Sequence, residues 1–275
     1  MIYLFSDPYI YSFENLYPLY LKLRAENIDC YLDAEFSKQG GGISKEFSSK
    51  GIPVITTEHG SPMFYYGGGH YRGNLQGGCL HPTWGKVGTE LMTKFGCKPE
   101  TVPALGSPRI DYYFSSREIK SNKSNNAVIF GTKVEGTRPW SVSIEEKLKI
   151  ICDKHDHVKF KGKVLGPMKL GNLESIDKDF SSDDFYDLFN DIGHAYFWFP
   201  STLITIAKVM SCKTYALYSD SHCNYTLNYF NQHKSHILPY SSSENPNQED
   251  SNIFLNDNLT PNGTDNIYNY LISNF

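Results

Sequence analysis

The chain has 275 residues, enough for one large domain or two small ones, and its 40% hydrophobic and 20% charged residues mark a globular protein, not a disordered one. A formal net charge of −4 excludes a uniform basic field, so any polyanionic partner must be met by a local patch. No apolar run is long enough to span a bilayer, and the start MIYLFSDPY lacks the basic and apolar pattern of a signal peptide, so a cytoplasmic location is expected.

Taken in chain order, IYLF (2–5) has the pattern of a strand. SFENLYPLYLKLRAEN (12–27) follows as a helix, with Leu16, Leu19, Tyr20 and Leu23 recurring at helical spacing. IDCYLD (28–33) and IPVITT (52–57) are further strands, separated by the basic, helix-like SKEFSSKG. HPTWGKVGTELMTKFG (81–96) predicts a helix, and ETVPALG (100–106) predicts a return to the sheet. Helices alternating with strands through short links imply a parallel sheet with right-handed crossovers.

SSREIKSNKSNN (115–126) is polar and lacks apolar periodicity, as a linker does. Beyond it the alternation restarts: strand AVIFGT (127–132), amphipathic helix IEEKLKIICDKH (144–155), strand HVKFKGK (157–163) and a capped acidic helix SSDDFYDLFNDIG (181–193). HAYFWF (194–199) predicts a buried strand, PSTLITIAKVMSCK (200–213) a helix, and TYALYSD (214–220) the last clear strand. No internal repeat is evident. The expected class is α/β with two Rossmann-like domains: residues 1–118 for the acceptor, a linker at 119–126, and 127–275 for a nucleotide donor, the last helix packing back on the first domain. Two such halves imply a cleft suited to group transfer from a nucleotide-activated donor.

Four segments carry candidate chemistry. TTEHGSPMFYYGGGHYRG (56–73) follows a strand and places Glu58 and His59 where open α/β sheets hold ligands. Either could take a proton from an acceptor hydroxyl: His starts near the required pKa, and Glu would need burial to raise it. Tyr65, His70 and Arg72, in the same glycine-rich loop, are candidate acceptor contacts. ALGSPRIDYYF (104–114) offers Arg109 for a phosphate, or an ion pair that pins the domain exit, with Asp111 holding the arginine or capping a helix.

FGTKVEGTRPWS (130–141) offers Gly131, Thr132, Lys133 and Arg138 to a diphosphate, without the spacing of a P-loop. Trp140 belongs either to the core or on a ring. Ser201 and Thr202, at a helix start, cap the helix or present hydroxyls and free amides to an anion. No metal is expected. His155, His157, His222 and Cys223 have no third ligand at fitting spacing, and Cys30, Cys79, Cys97, Cys152, Cys212 and Cys223 never form a C-x-x-C pair. The 20 tyrosines and 17 phenylalanines suit sugar- or base-stacking surfaces, although AT-rich coding also raises these residues.

In this order, TTEHGSP, LGSPRIDYYF, a strand ending in GT before a cationic turn, and DDFYDLFNDIGHAYFWFPSTLITIAKVMSCKTYALYSD resemble the GT-B glycosyltransferases over residues 52–220, with gaps. The nearest branch includes the CDP-glycerol glycerophosphotransferases. A second resemblance is to phage DNA-base glucosyltransferases. The resemblance implies His59 as base, Arg109 near the donor or the domain junction, and Ser201 and Thr202 on the donor phosphates. Lys208 stands near where many members carry an acid for the donor ribose, and the second-domain H-P dipeptide is missing after HVKFKGK, which favours a nucleotide sugar over a glycerophosphate donor.

The function expected is therefore metal-independent transfer of a sugar from a UDP-, GDP- or CDP-linked donor, with no tightly bound cofactor. The acceptor would be a glycan, a polyol-phosphate polymer or a hydroxymethylated base in DNA. A glycerophosphate or polyol-phosphate transferase is the enzymatic alternative, and a nucleotide- or glycan-binding module the non-enzymatic one. A sugar-nucleotide epimerase shares this fold but would need several acids near the motifs.

Overall fold

The computed structural model describes residues 1–5, 12–33, 46–47, 49–56, 80–94, 96–131, 142–161, 171–176, 178–198, 200–217, 229–242 and 248–274. It divides the chain into two compact units: Met1–Arg117 with Phe254–Phe275, and Glu118–Ile253. No helix among the described residues is long and apolar enough to cross a membrane.

In the first unit, β1 (Ile2–Phe5) lies between β2 (Cys30–Asp33) and β3 (Val54–Ile55), all parallel. The two-residue pleat puts Ile2 and Leu4 on one face, against Leu16, Leu19 and Leu23 of α1 (Ser12–Ala25). Pro18 removes a backbone donor inside α1; burial of these leucines outweighs that loss. On the other face Tyr3 stacks on Phe47, ring centres 4.5 Å apart. Beyond β3 the parallel pairing continues, among the described residues, as the single bridges Ile55 to Leu80 and Thr83 to Ala104. The predicted return strand at 100–106 is thus a 3-10 turn, Pro99–Thr101, and one bridge. The predicted helix at 81–96 is shorter as well: α2 is Lys86–Lys94, because the backbone of Thr83 is engaged by Pro103, Leu105 and Gly106.

The second unit holds a six-stranded, fully parallel sheet. Its elements in chain order are β4 (Ser124–Phe130), α3 (Val142–Lys154), β5 (Val158–Lys161), β6 (Leu173–Ile176), α4 (Ser182–Asp191), β7 (Ile192–Phe197), α5 (Leu203–Val209), β8 (Lys213–Ala216) and β9 (Leu238–Pro239). Leu148, Ile151 and Cys152 of α3 cover Ala127, Ile129, Val158, Phe160, Tyr196 and Tyr215 on one face. On the other, Phe130 stacks on Phe197 at 5.1 Å and meets Phe189 of α4 at 5.6 Å. β7 is buried along almost its whole length, as a central parallel strand must be. Ser181 and Asp184 close a reciprocal capping box at the start of α4, as the acidic sequence there predicts. β4 starts at Ser124, three residues before its apolar run, and Ser211, at φ 59°, marks the end of the predicted 200–213 helix. The chain then forms α6 (Gln248–Asn258) and α7 (Gly263–Asn274), which its apolar pattern does not announce.

Candidate functional site

The strand order β6-β5-β4-β7-β8-β9, renumbered from the first strand of the unit, is 3-2-1-4-5-6, the order of a nucleotide-binding sheet. In such a sheet the chain leaves the first and fourth strands in opposite directions, which opens a crevice beyond their carboxyl ends. Here those strands are β4 and β7. β4 ends at Phe130–Gly131, and the Phe130 carbonyl accepts the N–H of Trp198, just past β7, at 3.1 Å. Gly131 N–H donates to the Lys161 carbonyl at 2.9 Å, which fixes the end of β4 against that of β5.

Gly131 has a packing reason as well as a positional one. A Cβ there would lie 2.5 Å from the Phe160 ring, so only glycine lets β4 close over that side chain. Trp198 is half-buried beside the core on the α3 face. Two residues beyond it is Pro200, then Ser201, whose Oγ accepts the Leu203 N–H at 3.2 Å. Thr202 is the N-cap of α5 without a side-chain capping bond, and its carbonyl accepts from Thr205 at 3.1 Å. Ser201 thus serves as a cap, and its hydroxyl hydrogen stays available for donation.

Thr132, Lys133 and Arg138, which follow Gly131, lie outside the described residues, as do Glu58, His59, Tyr65, His70 and Arg72 of the first unit. Trp140, His222 and Cys223 lie outside them too. Arg109 is described. It is buried in the first unit with Nε 3.6 Å from Glu14 Oε2, in the helical turn Pro108–Ile110 capped by Ser107. Its surroundings are a packed interior joining that turn to α1. Asp111 does cap a helix, but a distant one: its carboxylate accepts the N–H of Thr264 at the start of α7.

Lys208, near the expected ribose-acid position, is turned inward. It is 2% exposed, and its Nζ donates to the His236 carbonyl at 2.7 Å and approaches Ser251 Oγ at 3.4 Å. Burial pulls its pKa down to about 8. His155 is also structural: Nε2 lies 2.8 Å from Tyr196 Oη, Nδ1 3.0 Å from the Asn125 carbonyl, and the ring stands 4.5 Å from that of His194. Burial lowers the pKa of both imidazoles, His194 to about 4. Among the described residues no group of three His, Cys, Asp or Glu side chains is placed to hold a metal ion, and Cys30, Cys97, Cys152 and Cys212 are free thiols.

The sequence pattern does not single out Trp198 or Lys161, because only the strand order reveals which strand ends adjoin.

No protein-family model matches the chain. No curated protein matches it in sequence. Solved structures do resemble it. The UDP-N-acetylglucosamine 2-epimerase of Rickettsia bellii aligns at a TM-score of 0.52 and 10% identity, over 100% of this chain and 97% of that one. A Listeria monocytogenes protein assigned the same epimerase activity aligns at 0.54 and 10% identity, over 98% and 89%. HepE of Anabaena in complex with UDP aligns at 0.49 and 10% identity, over 99% and 100%. The likeness is one of fold alone: an α/β chain with parallel sheets, as in the two epimerase structures.

Proposed function

We propose that the protein transfers a sugar from a nucleotide-activated donor to a hydroxyl acceptor, in the manner of a metal-independent GT-B enzyme. The observation that supports this most directly is the 3-2-1-4-5-6 sheet of the second unit, with Gly131 and Trp198 at the ends of the two strands that flank the crevice. The donor binds at that edge. Gly131 and Thr132 offer backbone amides, Lys133 and Arg138 neutralise the diphosphate, and Ser201 and Thr202 add hydroxyls.

In the reaction the acceptor oxygen forms a bond to the anomeric carbon. The bond from that carbon to the diphosphate oxygen breaks, and its electron pair leaves with the nucleoside diphosphate. The acceptor proton passes to Glu58 or His59. Cations and amides carry the charge that develops on the leaving diphosphate. Tyr65, His70 and Arg72 hold the acceptor, which is a glycan, a polyol-phosphate polymer or a hydroxymethylated DNA base.

A thermal-shift screen with UDP-, GDP- and CDP-linked sugars tests donor binding, since a ligand that binds only the native state raises its melting point. No shift with any of them sinks the proposal. Nucleotide release by Glu58→Ala and His59→Ala then separates an enzyme from a binding module: an enzyme loses turnover in at least one.

The fold likeness to two epimerases supports a second function, interconversion of the nucleotide sugar itself. Incubation with UDP-N-acetylglucosamine and no acceptor distinguishes the two. An epimerase changes the sugar at constant nucleotide linkage, whereas a transferase leaves it intact.

A further inference from the structure

Lys161 ends β5, and its carbonyl holds the N–H of Gly131, so it is the immediate neighbour of the residue that follows β4. Its side chain shares a face with that of its register partner, Phe130. The ammonium donates to the Lys178 carbonyl and stands 5.2 Å from the centre of the Phe180 ring. Lys178 Nζ stands 5.0 Å from the same ring, but Asp184 Oδ1, at 2.7 Å, takes up its charge. Among the described residues Lys161 has no carboxylate partner. A carbonyl and an aromatic face fix the position of a cation without cancelling its charge.

The strand order gives that charge a meaning. In a nucleotide-binding sheet the end of the second strand faces the bound nucleotide: an acid there accepts from a ribose 2′-OH, and an arginine nearby accommodates a 2′-phosphate. β5 is the second strand here, and it ends in a cation. We infer that Lys161 binds a phosphate of the ligand held at the β4–β7 edge, with Phe180 and the Lys178 carbonyl positioning its ammonium. This rests on the proposed nucleotide site. The phosphate belongs either to the donor diphosphate or to a polyol-phosphate acceptor, and the contact, an ammonium N–H to an anionic oxygen, is the same for both.

Calorimetric titration of the full chain with UDP, GDP, CDP, inorganic pyrophosphate and glycerol 3-phosphate, repeated on Lys161→Met and Lys161→Arg, tests the inference. Methionine keeps an unbranched stem over Phe180 and removes the charge. The expected result is about fivefold or greater weakening of at least one probe in Lys161→Met, with most of it restored by Lys161→Arg. Weakening confined to nucleotides and pyrophosphate assigns the donor diphosphate; weakening confined to glycerol 3-phosphate assigns the acceptor. If a nucleotide binds the wild type and Lys161→Met weakens no probe, the inference is overturned and the nucleotide site stands. If no probe binds the wild type, both fall. Should Lys161→Met fail to fold by circular dichroism, Phe180→Leu, which frees the ammonium, must weaken the same probes, and unchanged affinity there overturns the inference.

Discussion

Asp111 Oδ2 accepts the backbone N–H of Thr264 at 3.0 Å, across 153 positions of chain. The amides of Gly263 and Asn262 also bond to this carboxylate, so one side chain serves the otherwise unpaired donors at the start of α7. Burial raises its pKa, and the three amides pull it back part of the way. The segment GSPRID is therefore a clasp within the first unit: Ser107 caps its own turn, Arg109 meets Glu14 of α1, and Asp111 secures the C-terminal helix.

Asp111→Ala should lower stability by about 1–2 kcal/mol, the usual cost of losing a cap, and Asp111→Asn by less, because the amide oxygen still accepts. Urea unfolding checks this, and hydrogen exchange should show the loss at the first amides of α7. Equal effects of the two substitutions would contradict a capping role.

Gly106→Ala should be worse, at about 2–4 kcal/mol. Gly106 has φ 101°, a conformation that L side chains rarely adopt, and a Cβ there would meet the Thr260 carbonyl and lie 2.7 Å from Gly263 Cα. Gly263 is equally confined, since its own Cβ would press on the backbone of Ser107. A melting curve for Gly106→Ala that overlays the wild type would refute this close approach.

His81 makes the first unit acid-sensitive. Its Nδ1 lies 2.7 Å from Thr56 Oγ1, and full burial pushes its pKa down to about 4. In the unfolded chain the value is about 6.5. Above that pH neither state is protonated. As pH falls from 6.5 toward 4 the unfolded chain takes up a proton that the native state does not, so about 3 kcal/mol of stability is lost. His81→Asn should flatten the pH dependence of exchange at the amides of Leu80 and Thr83; an unchanged slope between pH 7 and 4 would show that His81 is not its source.

Lys208 joins α5 to α6 through the His236 carbonyl and Ser251. Its native pKa of about 8 lies below the unfolded value, so its contribution is greatest above pH 10.5 and diminishes as pH falls through 8. Lys208→Ala at pH 7 leaves a cavity and should cost about 2–4 kcal/mol, whereas Lys208→Met fills the same space without a buried charge and should cost clearly less. Denaturant midpoints of the two variants decide this.

Much of the fold is legible in the sequence because burial writes itself as periodicity. Leu16, Leu19 and Leu23 announce α1, HAYFWF announces a central strand, and Ser181 with Asp184 announces the start of α4. Short or isolated pairings leave no such mark. Ala104 joins the first sheet by a single bridge, too little for any apolar alternation to record. Arg109, Asp111 and Lys208 are typical ligand-binding residue types, and a linear pattern does not tell a buried partner from a bound anion.

By itself the sequence determined the class of fold, two runs of alternating strands and helices, since local spacing decides which face of each element is apolar. Only the tertiary structure decided that β4 and β7 adjoin, that Lys161 ends beside Gly131, and that Asp111 reaches Thr264. Those neighbours are far apart in the chain, and the hydrogen bonds and packing that join them exist only once the sheet order and the clasp of the first unit have formed.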